Sequence, residues 1–157
     1  PAGLDAAFHL YIPHILSHCG FDMISCWAIN RKENADPLWA ARKLADRKLL
    51  VQDAIRVQAR TTIEEMEAIA KAVAEKLNRY SNKKLVKFVI PKKGFSSLSA
   101  EGGALYDPFA DQAFVVALKK YLDPQIEIVE VNADINHPEF AKAVVKALKE
   151  SLAEKRS

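Results

Sequence analysis

The chain has 157 residues, of which 50% are apolar, 27% are charged and only 5 are Gly and 7 Pro. That composition excludes collagen-like, low-complexity and disordered classes, and a globular domain of this length buries roughly 70% of its unfolded surface. The 23 Lys+Arg and 20 Asp+Glu leave a net charge of +3, too mild to name a polyanionic partner.

No apolar run approaches the ~20 residues of a membrane span, so neither a membrane nor a nucleic-acid partner is expected. Cys19 and Cys26 make no disulfide framework, and reduced thiols in a cytoplasmic setting are the expectation. The opening Pro1-Ala2-Gly3, without an initiator Met, reads as part of a longer polypeptide.

In chain order, Leu4 to Tyr11 has the pattern of a short helix and Ile12 to Ser17 that of a strand. Asp36-Pro37 pairs an N-cap with Pro at the first helical position, opening a helix that carries Leu38, Ala41, Leu44 and Ala45. Ala54 to Ala59 alternates as a strand. Thr62 and Glu65 form a capping-box signature. The helix behind them aligns Ile63, Met66, Ala70, Val73 and Leu77 on one face.

Leu85 to Ile90 reads as a buried strand ended by Pro91, and a 15-residue loop follows, Lys92 to Tyr106. Asp107-Pro108 then starts a helix striped by Ala110, Ala113, Phe114, Ala117, Leu118 and Tyr121. Ile126 to Val131 is a second clear strand. The last helix begins at Asn136-His137-Pro138 and is expected to turn Phe140, Val144, Leu148 and Leu152 inward. About four strands and five helices in this order predict a single three-layer α/β domain. Its sheet is expected to be mostly parallel, of about four or five strands, with right-handed crossovers.

Few residues form a recognised chemical motif. His14, His18 and Cys19 invite a metal, but along a strand residues four apart lie ~13 Å apart, beyond one zinc ion with ~2 Å bonds; no metal site is expected. Cys26 beside Trp27 reads as a packing thiol. Lys83, Lys84, Lys87, Lys92 and Lys93 read as the solvated ends of a buried strand, without the interleaved aromatics of a nucleic-acid platform.

The long loop is the strongest candidate, since open parallel sheets bind ligands beyond the carboxyl ends of their strands. There Lys93 supplies charge, Gly94 permits close backbone approach, and Ser96 and Ser97 supply hydroxyls. The competing reading is a surface loop, or one that packs on a partner subunit. Asp22 and Asp134 each follow a strand. They serve either as turn residues or as carboxylates that orient a sugar hydroxyl or hydrated Mg²⁺.

Ile90-Pro-Lys-Lys-Gly-Phe-Ser-Ser-Leu-Ser99 with Gly102-Gly103-Ala-Leu-Tyr-Asp-Pro108 resembles the family of proteins related to the tomato mosaic virus resistance protein, described as having an ATP-binding domain. Gly20-Phe21-Asp22-Met23, Arg60-Thr61-Thr62 and Asp134-Ile135-Asn136 with Pro138 match it collinearly, nearly end to end. The resemblance implies that the chain is the second of two Rossmann-like subdomains. The first, N-terminal subdomain would carry the Gly-rich nucleotide segments, with ATP and Mg²⁺ in the cleft between them, and two-fold association as a homodimer is implied as well.

By position, Lys93, Gly94 and Ser96 would stand beside that cleft, with Asp22 and Asn136 near them. The family's arginine is Lys93 here, which loses bidentate phosphate geometry. The histidines of the family pattern appear as Leu50, Gln52 and Asp134. Three readings follow. The first is half of a nucleotide or small-anion cleft. The second is an enzyme on a small carbonyl, sugar or acid substrate with Asp22 as general base, and the third is an interaction domain without a ligand.

Overall fold

The structure is a computed structural model and describes residues 12–156; the helix expected at Leu4 to Tyr11 lies outside them. Among the described residues, strands β1 (His14–Leu16), β2 (Met23–Ser25), β3 (Leu49–Asp53), β4 (Arg56–Arg60), β5 (Val86–Pro91) and β6 (Glu127–Val131) occur. They accompany helices α1 (Asn30–Glu33), α2 (Pro37–Ala41), α3 (Ile63–Leu77), α4 (Pro108–Tyr121) and α5 (Pro138–Arg156). The fold is α/β.

The helix starts follow their caps. Asp36 accepts a hydrogen bond from the Leu38 N–H at 2.8 Å ahead of α2, and Asp107 accepts from the Ala110 N–H at 3.1 Å ahead of α4. At α3 the capping box is complete: the Glu65 N–H donates to Thr62 Oγ1 and the Thr62 N–H to Glu65 Oε2. Two orphan amides of the first turn are thereby satisfied.

The sheet departs from expectation. In place of one mostly parallel sheet of four or five strands, the described residues form two sheets of three. One is parallel, in the order β1-β5-β6, and the other antiparallel, in the order β2-β4-β3. The cause is local. Asp53 Oδ1 accepts from the Ile55 N–H at 3.0 Å, closing a side-chain-stabilised turn that folds β3 back on β4. A two-residue connection permits only antiparallel pairing.

Strand β5 is buried along its whole length, as a central parallel strand covered on both sides must be. Its Val86, Phe88 and Ile90 pack with Met66, Ala70 and Leu77 of α3 and Phe114 and Leu118 of α4. Its Val89 packs with Phe140 and Ala147 of α5. Lys87, which the sequence places at a solvated strand end, is instead buried at mid-strand. It pairs with Glu127 at 2.7 Å and Glu150 at 2.9 Å.

On α5 the inward residues are Phe140, Ala147 and Ser151, while Leu148 and Leu152 are 39% and 40% exposed. The helix is turned so that Phe140, Val144 and Ala147 meet the sheet and Leu148 and Leu152 do not. The antiparallel sheet has its own small core of Cys26, Trp39, Leu44, Val57 and Ala59, where the Trp39 indole N–H donates to the Cys26 carbonyl at 3.2 Å. Among the described residues no helix is long and apolar enough to cross a membrane.

Candidate functional site

The carboxyl end of β5 runs into the 92–106 loop, and this loop is built rather than loose. Ser99 Oγ accepts from the N–H groups of Phe95 and Ser96, both at 3.1 Å. Ser96 Oγ accepts from those of Leu98 and Ser99 at 3.2 and 3.3 Å. Gly94 has φ +138°, and a Cβ there would stand 2.6 Å from Ala100 Cα. Its lack of a side chain lets the loop fold onto itself.

Between this loop and α4 lies a cavity of about 210 Å³. Lys93, Glu101, Tyr106, Asp111 and Gln112 line it. The lining cation Lys92 faces Glu130, which Lys119 also pairs. Lys93 and Glu101 have no ion-pair partner among the described residues.

The candidate residues fall into two groups. Asp22 and Ser96 meet in the interior, where Ser96 Oγ donates to Asp22 Oδ2 at 2.5 Å; Asp22 does not line the cavity. Lys93 and Gly94 lie on the exposed flank of the loop and in its buried turn, respectively. The Lys93 N–H donates to the Ala133 carbonyl at 3.1 Å. The Ile135 N–H donates to the Gly94 carbonyl, also at 3.1 Å, and this holds the β6–α5 turn, with exposed Asn136, against the loop. Ser97 is exposed and Ser96 is committed to the loop and Asp22, so the two serines are not equivalent.

Two residues that sequence reasoning passed over organise this edge. Arg60, at the end of β4, is 3% exposed. Its guanidinium donates to the Asp22 carbonyl at 2.7 Å, to the Asp107 carbonyl at 3.2 Å, and to Asp111 Oδ1 in a short ion pair. Asp111, one turn into α4, carries that charge to the cavity wall. Burial pushes its carboxyl up to about 6, against the pull of Arg60, and the carboxylates of Asp22 and Asp107 push the same way. A carboxylate beside Ala110 and Phe114 on an inward stripe, and an arginine closing an alternating strand, were the signals available.

His18 is fully buried, stacked with Phe88 and Phe114 at centroid distances of 5.8 and 4.9 Å, and neither ring nitrogen has a hydrogen-bond partner among the described residues. Burial lowers its pKa to about 3, so the ring is neutral near pH 7. An unfolded histidine takes up a proton near 6.5, which makes the fold lose stability as pH drops from 6.5 toward 3. Between about pH 7 and about pH 4.5 this amounts to about 2–3 kcal/mol.

Asp111 works in the opposite sense: its neutral form is favoured in the fold, and that contribution is lost as pH rises toward 6. His18→Leu is therefore expected to flatten the acid limb of urea-unfolding stability by about 2–3 kcal/mol over that interval. An unchanged acid limb would contradict the buried neutral ring. Among the described residues no three His, Cys, Asp or Glu side chains form a metal-holding group.

Residues 1–152 match the profile of the uncharacterised protein family UPF0261, C-terminal domain. The chain belongs to the UPF0261 family. A UPF0261 protein of Clostridium tetani is 34% identical over 149 residues, covering 94% of this chain and 34% of its own length. One from Rhizobium meliloti is 33% identical over 141 residues, covering 88% and 33%. The ToMV resistance protein Tm-1(GCR237) of Solanum lycopersicum is 31% identical over 148 residues, covering 93% of this chain and 18% of that protein. The chain thus spans about a third of the length of the bacterial UPF0261 relatives it matches.

Proposed function

We propose that this UPF0261 domain forms one wall of a cleft for a small anionic ligand, or for the phosphate-bearing part of ATP, within a longer protein. In this reading it is the second of two Rossmann-like halves, and the preceding part of the family chain closes the cleft. The observation that carries it is the cavity beside Lys93, at the carboxyl end of the central parallel strand, where open α/β sheets take ligands.

Among the described residues Lys93 is the lining cation without an ion pair, so its charge is available to an incoming anion. The 210 Å³ volume is below the ~300–1,000 Å³ of complete ligand pockets, as suits half of a shared cleft. Asn136 and Gly94 flank the same edge through the Ile135–Gly94 bond. Mg²⁺ usually keeps its waters, takes phosphate oxygens and needs one or two carboxylates. Glu101, exposed at the cavity and without an ion pair among the described residues, is one carboxylate for that role. Two-fold association of the longer protein belongs to the same proposal.

Calorimetry with ATP and Mg²⁺ tests it. The longer family protein is expected to bind more tightly than this chain, and Lys93→Ala is expected to weaken binding about tenfold, the value of one charge-assisted hydrogen bond. Equal affinity of the two proteins, or no effect of Lys93→Ala, would overturn the shared cleft.

A further inference from the structure

Asp111 is the one residue that joins the buried charge cluster to the cavity. Arg60 takes its Oδ1, while Oδ2 has no hydrogen-bond partner among the described residues. The guanidinium is itself fixed by the carbonyls of Asp22 and Asp107, from the β1–β2 turn and the α4 cap, so the carboxylate is held from behind by groups that cannot follow a ligand. Asp22 Oδ1 and Arg60 Nε, both buried, also have no hydrogen-bond partner among the described residues. The cluster therefore has polar capacity that the described residues do not use.

A carboxylate accepts hydrogen bonds only, and an ionised one accepts them strongly from a hydroxyl. Lys93, on the same cavity, donates only and carries the opposite charge. Resting on the anion reading above, we propose that this cleft selects small anions that carry a hydroxyl group, the anion meeting Lys93 and the hydroxyl donating to Asp111. Hydroxy acids and phosphorylated polyols share this chemistry. Bulk apolar ligands do not fit it, and neither do plain anions.

The groups facing Asp111 set its pH response. Arg60 comes from β4, Asp22 from the β1–β2 turn and Asp107 from its own helix cap; the same cavity is lined by Lys92, Lys93 and Glu101 of the loop and by Glu130 of β6. Ionisation of Asp111 near pH 6 makes it a charged acceptor, so hydroxyl selection strengthens as pH rises through that value.

The test compares matched three-carbon probes by calorimetry or ligand-observed NMR: glycerate against propionate, and glycerol 3-phosphate against n-propyl phosphate. Within each pair the anionic group is of the same kind, so the affinity ratio, with each affinity expressed per ionised probe, reads the hydroxyls. The expected ratio is about tenfold at about pH 7.5, one hydrogen bond to a charged group, and smaller at about pH 5. The carboxylate and phosphate pairs show which anion Lys93 prefers.

Asp111→Asn keeps an acceptor for Arg60 and is expected to make the ratio smaller and independent of pH. The pH series on the unaltered protein carries the same test if the variant does not fold. A ratio near one at about pH 7.5, or the same ratio with Asp111→Asn, overturns hydroxyl selection. If the probes bind through Lys93 at a ratio near one, the anion cleft stands and hydroxyl selection falls; if none of the four binds the longer family protein, both fall.

Discussion

Arg60→Ala is expected to lower the thermal midpoint by roughly 6–20 °C. Breaking a buried ion pair by removing one partner costs about 3–5 kcal/mol, and each kcal/mol shifts the midpoint of a domain this size by about 2–4 °C. Here the loss extends beyond the pair. The Asp111 carboxyl loses the pull that opposes its burial and shifts further toward its neutral form, and the carbonyls of Asp22 and Asp107 lose the donor that links them.

Arg60→Lys retains the charge but not the planar fork that reaches three acceptors, and is expected to fall between the two. Thermal unfolding measures both. A drop below about 3 °C for Arg60→Ala, less than one kcal/mol at this size, would show that the guanidinium does not hold this edge together.

Gly94→Ala is expected to disrupt the loop locally while leaving the rest of the domain folded. At φ +138° any L side chain is strained, and the added Cβ would meet the Ala100 backbone at 2.6 to 2.8 Å. Strain of this kind is worth about 1–3 kcal/mol by itself. The loop can escape only by moving the Phe95–Ser99 turn, and with it the Ser96–Asp22 bond. Two readouts separate local from global damage. Hydrogen exchange should rise at residues 94–105 but not in β5 or α3, and anion binding at Lys93 should be lost. Unchanged loop protection would mean that the close approach to Ala100 is not required.

The parts of the fold legible in the sequence are those declared by short-range chemistry. Thr62 with Glu65, Asp107-Pro108 and Asp36-Pro37 announce helix starts with their own side chains, and β5 and β6 are β-branched runs bounded by prolines. Within the antiparallel sheet, β4 was legible as the alternating run Ala54 to Ala59, but its pairing was opaque for the complementary reason. Its β3–β4 turn, Asp53-Ala54-Ile55-Arg56, has no glycine; the Asp53 carboxylate closes it, and β2 is only three residues long. No hairpin signal survives at that length.

The same divide runs through the site. Lys93 and Gly94 were visible as a loop on the end of a strand. Arg60 and Asp111 were not, because what makes them notable is a partner 51 residues away. Ser96 was read as a donor to a ligand, and a partner 74 residues away claims its hydroxyl instead.

That long-distance cluster bears on how the domain reaches its final state. The bonds from Arg60 to Asp22 and to Asp111 span 38 and 51 residues, and the entropy of closing such loops is lost before the contacts form. The edge around Arg60 and Asp111 is therefore expected to be completed late in folding, after α3 and the β3–β4 hairpin have formed from neighbouring residues. A molecule bound there is a partner of the finished chain only, and each tenfold excess of it over its dissociation constant raises the unfolding free energy by about 1.4 kcal/mol. Occupancy of the cleft can thus be followed from the far side of the domain, as slower exchange of amides it never touches.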